Sequence, residues 1–293
     1  HHGAGRSSPC PACSAGAAPA AATTVAALEA LPGGITINDA CTPKASLIVS
    51  HADAPAGLCP TVITRTYTIT DACTNPVSII HTITVDDTQA PVVTGSLSVT
   101  NVEGCNAGAA PAAVTTVAAL EALAGGITIT DACTPDATLT VSHTDSPPAG
   151  SCPWVITRTY TVTDGCSNPV NIIHTINVDD TQAPVITGSL TPAIIEGCDA
   201  GAAPAAVTTV AALEALAGSI TITDACTPDG TLTVSHTDSP PAGLCPRVIT
   251  RTYTVTDDCL NPVNIIHTIN VDDTQAPAWT TAVNFLNRTV QCS

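Results

Sequence analysis

The chain has 293 residues, and 7 Lys and Arg stand against 24 Asp and Glu, a formal net charge of −17. That balance excludes a nucleic-acid backbone or an anionic membrane surface as partner, since both repel it. Aromatics make up 2% and Met is absent, so any core is thin and aliphatic, while fourteen cysteines supply cross-links and point to an oxidising, extracytoplasmic compartment.

Cys13, Cys41, Cys59 and Cys73 recur as Cys105, Cys133, Cys152 and Cys166 and again as Cys198, Cys226, Cys245 and Cys259, with equivalents 92 or 93 residues apart. AGAAPAA, VITRTYTVTD and HTINVDDTQAP return almost verbatim. A repeat this regular predicts tandem domains, here residues 1–87, 88–180 and 181–273. Residues 274–293, TQAPAWTTAVNFLNRTVQCS, begin a fourth copy, whereas HHGAGRSSPCPA before Cys13 has no strand-like alternation. The first domain is therefore expected to lack its first strand and the tail to carry one.

Within the second repeat, Val92 to Val102 reads as extended. Thr116 to Leu123 reads as a short helix, opened by a Thr cap and closed by Gly125-Gly126. Ile127 to Thr130 alternates, Leu139 and Val141 mark another strand, and Val155 to Thr163 is a long one with Thr on one face. Asn168-Pro169 then turns the chain into a last strand, Val170 to Val178. The fold class is all-β: three tandem immunoglobulin-like β-sandwich domains, each with one short helix, plus a C-terminal extended donor strand.

If successive strands alternate in direction, Cys133 and Cys166 share the upper end of the domain, and Cys105 and Cys152 the lower end. Cys152 and Cys166 bracket one strand, so roughly 40 Å separates them at ~3.3 Å per residue, and they cannot pair. The expected bridges are Cys105–Cys152 and Cys133–Cys166, with Cys13–Cys59, Cys41–Cys73, Cys198–Cys245 and Cys226–Cys259 as counterparts. Cys10 and Cys292 remain. Three domains in line hold the chain ends on the order of 100 Å apart, which favours a bond between neighbouring molecules, with Cys59 or Cys13 as competing partners for Cys292.

Arg65, Arg158 and Arg251 fall on the inward strand face, where a guanidinium needs a partner, and the helix glutamates Glu29, Glu121 and Glu214 are the candidates. Asp86, Asp87, Asp179 and Asp180 close their repeats beside the upper loops of the next, which carry Asp131, Asp164, Asp224 and Asp257. Such clusters are candidate calcium ligands, although the spacing matches no EF-hand. His81, His174 and His267 read as hydrogen-bonded structural residues rather than zinc ligands. No Ser-His-Asp or paired-carboxylate constellation stands out, so no enzymatic activity is expected and no cofactor is required.

Arg158-Thr-Tyr160, Thr163-Asp164, Cys166 and Asp179-Asp180-Thr181-Gln-Ala-Pro184, with counterparts in the other repeats, resemble the HYR-like, immunoglobulin-like repeats of Bacteroidota cell-surface proteins. Gliding adhesins and other type IX secreted proteins are similar. The resemblance implies an exported, non-enzymatic surface array, secreted to the extracellular side or the bacterial surface. The expected function is a structural subunit of an extracellular filament, assembling head to tail by donor-strand complementation with disulfide reinforcement. Trp279, Val283, Phe285, Leu286 and Val290 are its candidate polymerisation strand, and Cys10–Cys292 its intersubunit bond. The expected partners are copies of the chain itself. The alternative is a stalk or binding module of a surface adhesin that grips a glycan or a protein.

Overall fold

Period-two alternation builds fifteen strands among the described residues, which are 15–279 of a computed structural model. In chain order they are β1 (Ile48–Ala56), β2 (Thr61–Thr70), β3 (Pro76–Val85), β4 (Val92–Thr94), β5 (Thr100–Glu103), β6 (Thr128–Thr130) and β7 (Thr140–Asp145). Then follow β8 (Trp154–Thr163), β9 (Pro169–Asp179), β10 (Val185–Thr187) and β11 (Ala193–Glu196). The last are β12 (Thr221–Thr223), β13 (Thr233–Asp238), β14 (Arg247–Thr256) and β15 (Pro262–Asp272). In β2, β8 and β14 an arginine, a tyrosine and aliphatic residues point inward at every second position, and threonines line the other face.

Two compact units hold these elements. One contains the described chain up to Val102 with Ala110–Ala149 and Val155–Asn177, and the other contains Glu103–Ala109, Gly150–Trp154 and the chain from Val178 onward.

Each repeat has one helix of a single turn: α1 (Val25–Glu29), α2 (Val117–Glu121) and α3 (Val210–Glu214). The hydroxyls of Thr24, Thr116 and Thr209 cap them by accepting from Ala27, Ala119 and Ala212 N–H. Helices this short are not stable alone; Val210 and Leu213, three residues apart, anchor α3 in the core around Tyr253. The tyrosines Tyr67, Tyr160 and Tyr253 are fully buried, and their hydroxyls accept from the backbone N–H of Ala22, Val114 and Val207.

Among the described residues the repeats differ in how many strands they hold. In the third, the main sheet runs β11-β15-β14-β13, and β10 and β12 form a second sheet. β11 joins β15 in parallel, Ala193 facing Ile269 and Ile195 facing Val271, while β13, β14 and β15 are antiparallel. The second repeat has the order β5-β9-β8-β7 with β4-β6 beside it. The entry segment, expected as one strand, is thus two, broken at Gly95 or Gly188 (φ +85° and +86°) so that its halves join different sheets. Among its described residues the first repeat has β1-β2-β3.

The buried arginines do not pair with the helix glutamates. Arg65, 4% exposed, grips Asp53 through Nε and Nη2 (2.7 and 2.8 Å) and donates Nη1 to the Pro19 carbonyl (2.7 Å). Arg158 does the same with Asp145 and Pro111, and Arg251 with Asp238 and Pro204. Hairpin register decides this, because Asp53 faces Arg65 across β1 and β2, within reach of a bidentate fork. The glutamates satisfy backbone instead: Glu29, Glu121 and Glu214 accept from Ile37, Ile129 and Ile222 N–H at 2.7, 2.7 and 2.8 Å, tying each helix to the segment after it, which is β6 or β12 in the second and third repeats.

Hydrogen bonds from the guanidinium hold the Asp53, Asp145 and Asp238 carboxyls below the usual carboxylate range. A depressed carboxylate contributes stability that is present above its unfolded pKa, about 4, and lost as pH falls through the folded value. Denaturant midpoints measured between pH 7 and 2 should therefore fall below about pH 4, and Asp238→Asn should flatten that decline. Arg251→Met should cost about 2–3 kcal/mol at neutral pH, less than a fully buried pair because the carboxylate is partly solvated.

Candidate assembly interface

The third repeat shows what an entry segment does. Between β10 and β11, Leu190, 8% exposed, packs with Leu213, Ile220, Tyr253 and Ile265. Thr191 N donates to the Ala217 carbonyl at 2.8 Å, and the segment crosses so close to Gly218 (φ +128°) that a Cβ there would lie 2.2 Å from the Ser189 carbonyl. The counterpart in the first repeat, Gly33, keeps φ +124° yet has nothing within 4 Å among the described residues. Leu28, Ile35, Tyr67 and Ile79, the counterparts of Leu213, Ile220, Tyr253 and Ile265, line a cavity of about 70 Å³. Ile79 and His81 are half-buried there, whereas Ile172 and His174 are buried and His174 Nε2 bonds Thr100 Oγ1 of β5 at 2.8 Å. The first repeat keeps the seat of an entry segment without its occupant among the described residues.

The disulfides join successive repeats. Cys59 bonds Cys166, Cys105 bonds Cys226 and Cys152 bonds Cys259, with Cα separations of 5.2, 4.7 and 5.4 Å. Cys133 is disulfide-bonded as well. These pairings overturn the expected Cys13–Cys59, Cys105–Cys152, Cys133–Cys166 and Cys226–Cys259 bridges. Cys41 and Cys73 are both free and exposed, as are Cys198 and Cys245, so neither of those expected bridges forms either. The lower-end cysteines of one repeat lie against the upper-end cysteines of the next and bond them. Within the second unit Asn261 fastens the same junction, donating Nδ2 to the Asp180 carbonyl (2.9 Å) and to Asp257 Oδ2 (2.8 Å). Asn168 does so in the first unit with the Asp87 carbonyl (3.0 Å) and Asp164 Oδ2 (2.8 Å).

Carboxylates collect at both junctions. Oxygens of Asp180, Asp224 and Asp257 lie within 4.8 Å of one another, as do ligand atoms of Asp87, Asp131 and Cys133. Asp180 is 5% exposed and its Oδ2 has no hydrogen-bond partner. Burial pushes its carboxyl above the ordinary range, and the charges of Asp224 and Asp257 push the same way. A buried carboxylate oxygen without a donor, facing two more carboxylates, suits a hard, oxygen-seeking cation. Asp164 serves its turn by accepting from Cys166 and Asn168 N–H; Asp86 and Asp179 lie instead beside the Cys59–Cys166 and Cys152–Cys259 sulfurs.

Trp279 is 71% exposed at the last described position. Val283, Phe285, Leu286, Val290, Cys10, Cys13 and Cys292 lie outside the described residues. No helix among the described residues is long and apolar enough to cross a membrane. The disulfides fit an oxidising, extracytoplasmic setting.

No family model and no curated protein matches the chain. Among solved structures it is similar to extracellular cadherin domains 1–5 of protocadherin gamma B2 (9% identity, 80% of this chain and 54% of that one, TM-score 0.28). The protocadherin gamma B4 extracellular domain matches at 12% identity over 78% and 46%, TM-score 0.28, and the human desmocollin-1 ectodomain at 12% over 73% and 48%, TM-score 0.27. The chain spans about half the length of each. Values this low carry no inference about fold or function.

The Cys152–Cys259 bond closes a loop with a sequence separation of 107 residues. Replacing both cysteines by Ser should lower unfolding free energy by about 4–5 kcal/mol in the loop-entropy model, read from denaturant titration of the oxidised protein.

Proposed function

We propose that this chain is a structural subunit of an extracellular homopolymer, in which residues 278–290 of one copy complete the open first repeat of the next. The seat that no described residue fills in the first repeat carries this reading: a three-stranded sheet, an apolar cavity and a glycine whose backbone suits a close crossing. An added strand would satisfy the β3 edge by main-chain hydrogen bonds and fill the cavity with a side chain. Val283 stands nine residues after Thr274, as Leu97 and Leu190 stand nine after Thr88 and Thr181, so it is the residue for that cavity. Trp279, Phe285, Leu286 and Val290 supply the remaining apolar positions of the donor segment. Head-to-tail contacts of this kind do not close and so propagate into open filaments. The HYR-like motifs and the disulfides support an exported, cell-surface setting, and self-association is the partner relationship.

The junction carboxylates extend the reading: Asp180, with Asp224 and Asp257, binds calcium and relieves the buried charge.

Two measurements test this. Electron micrographs of the purified chain should show filaments, and Val283→Asp should leave dispersed single molecules because a carboxylate cannot enter an apolar seat. Dispersed wild-type molecules at high concentration would end the proposal. Calcium chloride should raise the melting temperature and chelator should reverse it, with Asp180→Asn abolishing the difference; an equal shift in that variant removes the cation site.

A further inference from the structure

The bonded and free cysteines follow one rule. Among the described residues, each disulfide runs from the lower-end cysteine of one repeat to the upper-end cysteine of the next. The cysteine after the entry segment (Cys105) takes the one after β6 or β12 (Cys226). The cysteine before the long strand (Cys59, Cys152) takes the one in the turn after it (Cys166, Cys259). The four free thiols are what this rule leaves over. Cys41 and Cys73 are the two upper-end cysteines of the first repeat, and Cys198 and Cys245 the two lower-end cysteines of the third.

The uncharged partners at these positions are left over too. Asn75 Nδ2 donates to Asp71 Oδ2 (2.8 Å), whereas its counterparts Asn168 and Asn261 also reach the carbonyl of an aspartate closing the preceding repeat. Asp273, the counterpart of the buried Asp87 and Asp180, is exposed. One end of the repeat series thus carries half of a junction and the other end carries the complementary half.

Resting on the head-to-tail reading, we propose that a second copy of this chain completes that junction covalently: Cys198 bonds Cys41 of the next copy, and Cys245 bonds Cys73. Repetition of the internal geometry brings Cys198 and Cys41 to the 4.7 Å Cα separation of Cys105–Cys226, and Cys245 and Cys73 to the 5.2 and 5.4 Å of Cys59–Cys166 and Cys152–Cys259. Each bond forms in two exchanges. A thiolate of one copy attacks a low-molecular-weight disulfide, such as oxidised glutathione, and expels one thiolate. The thiolate of the partner copy then attacks the mixed disulfide and expels the second. Two protein thiols are oxidised, one small disulfide is reduced to two thiols, and the two thiol protons are conserved.

The test uses the full chain carrying Cys10→Ser and Cys292→Ser, reduced and then reoxidised with glutathione disulfide. Non-reducing gels should show a ladder that thiol collapses, and mass spectrometry of its digest should contain the Cys198–Cys41 and Cys245–Cys73 cross-links. In that background, Cys41→Ser/Cys73→Ser and Cys198→Ser/Cys245→Ser chains should each run as monomers. Mixed, they should give a dimer band and nothing larger. Filaments by microscopy with neither cross-link overturn this inference while the head-to-tail reading stands, and absence of both filaments and ladder ends the two together. Any other linked pair, or a ladder from either double variant alone, also overturns it.

Discussion

The second and third repeats both depend on a sheet edge, along β9 and β15, that the entry segment covers. A β-sandwich with an uncovered edge presents unpaired N–H and C=O groups, and an open core beside them exposes aliphatic surface. The second and third repeats solve both problems with the segment that leads into them, half in each sheet. Because that segment starts straight after the previous repeat's last strand, with β10 beginning at Val185 after β9 ends at Asp179, there is no slack between them. Closing the sheet and abutting the preceding repeat are therefore one event, and cysteines on facing loops come within bonding distance as a result.

The sequence made the repeats and the alternation of the long strands legible, since each is written locally in residue spacing. It also placed the cysteines at the correct ends: Cys152 and Cys166 do lie at opposite ends of β8. What it did not disclose was that cysteines at facing ends of neighbouring repeats come within bonding distance, because distance across a junction has no local signature. The arginine partners were within reach of sequence reasoning. Asp238 and Arg251 flank one hairpin, and their register puts them opposite each other. The glutamates misled because a helix carboxylate near a buried cation looks like a salt bridge, while a buried strand N–H that needs an acceptor leaves no mark in the sequence.

The core and the junctions share the work of stability unequally. With a single tyrosine as the fully buried aromatic of each repeat, burial supplies little beyond a Leu, Ile and Val layer. The Arg–Asp forks and the tyrosine hydroxyls fasten the loop before each helix to the long strand, and the glutamates fasten the helix to the segment that follows it. Local ties of this kind fix the shape of one repeat, whereas the disulfides restrict the denatured chain over spans exceeding a hundred residues.

Cross-repeat bonding also changes what oxidation reports. Three nearly identical modules in one chain invite exchange of strands between the wrong neighbours during maturation. A thiol that can find its mate only across a correctly seated boundary makes each covalent closure a checkpoint on neighbour order, and a scrambled arrangement stays reduced and open to correction.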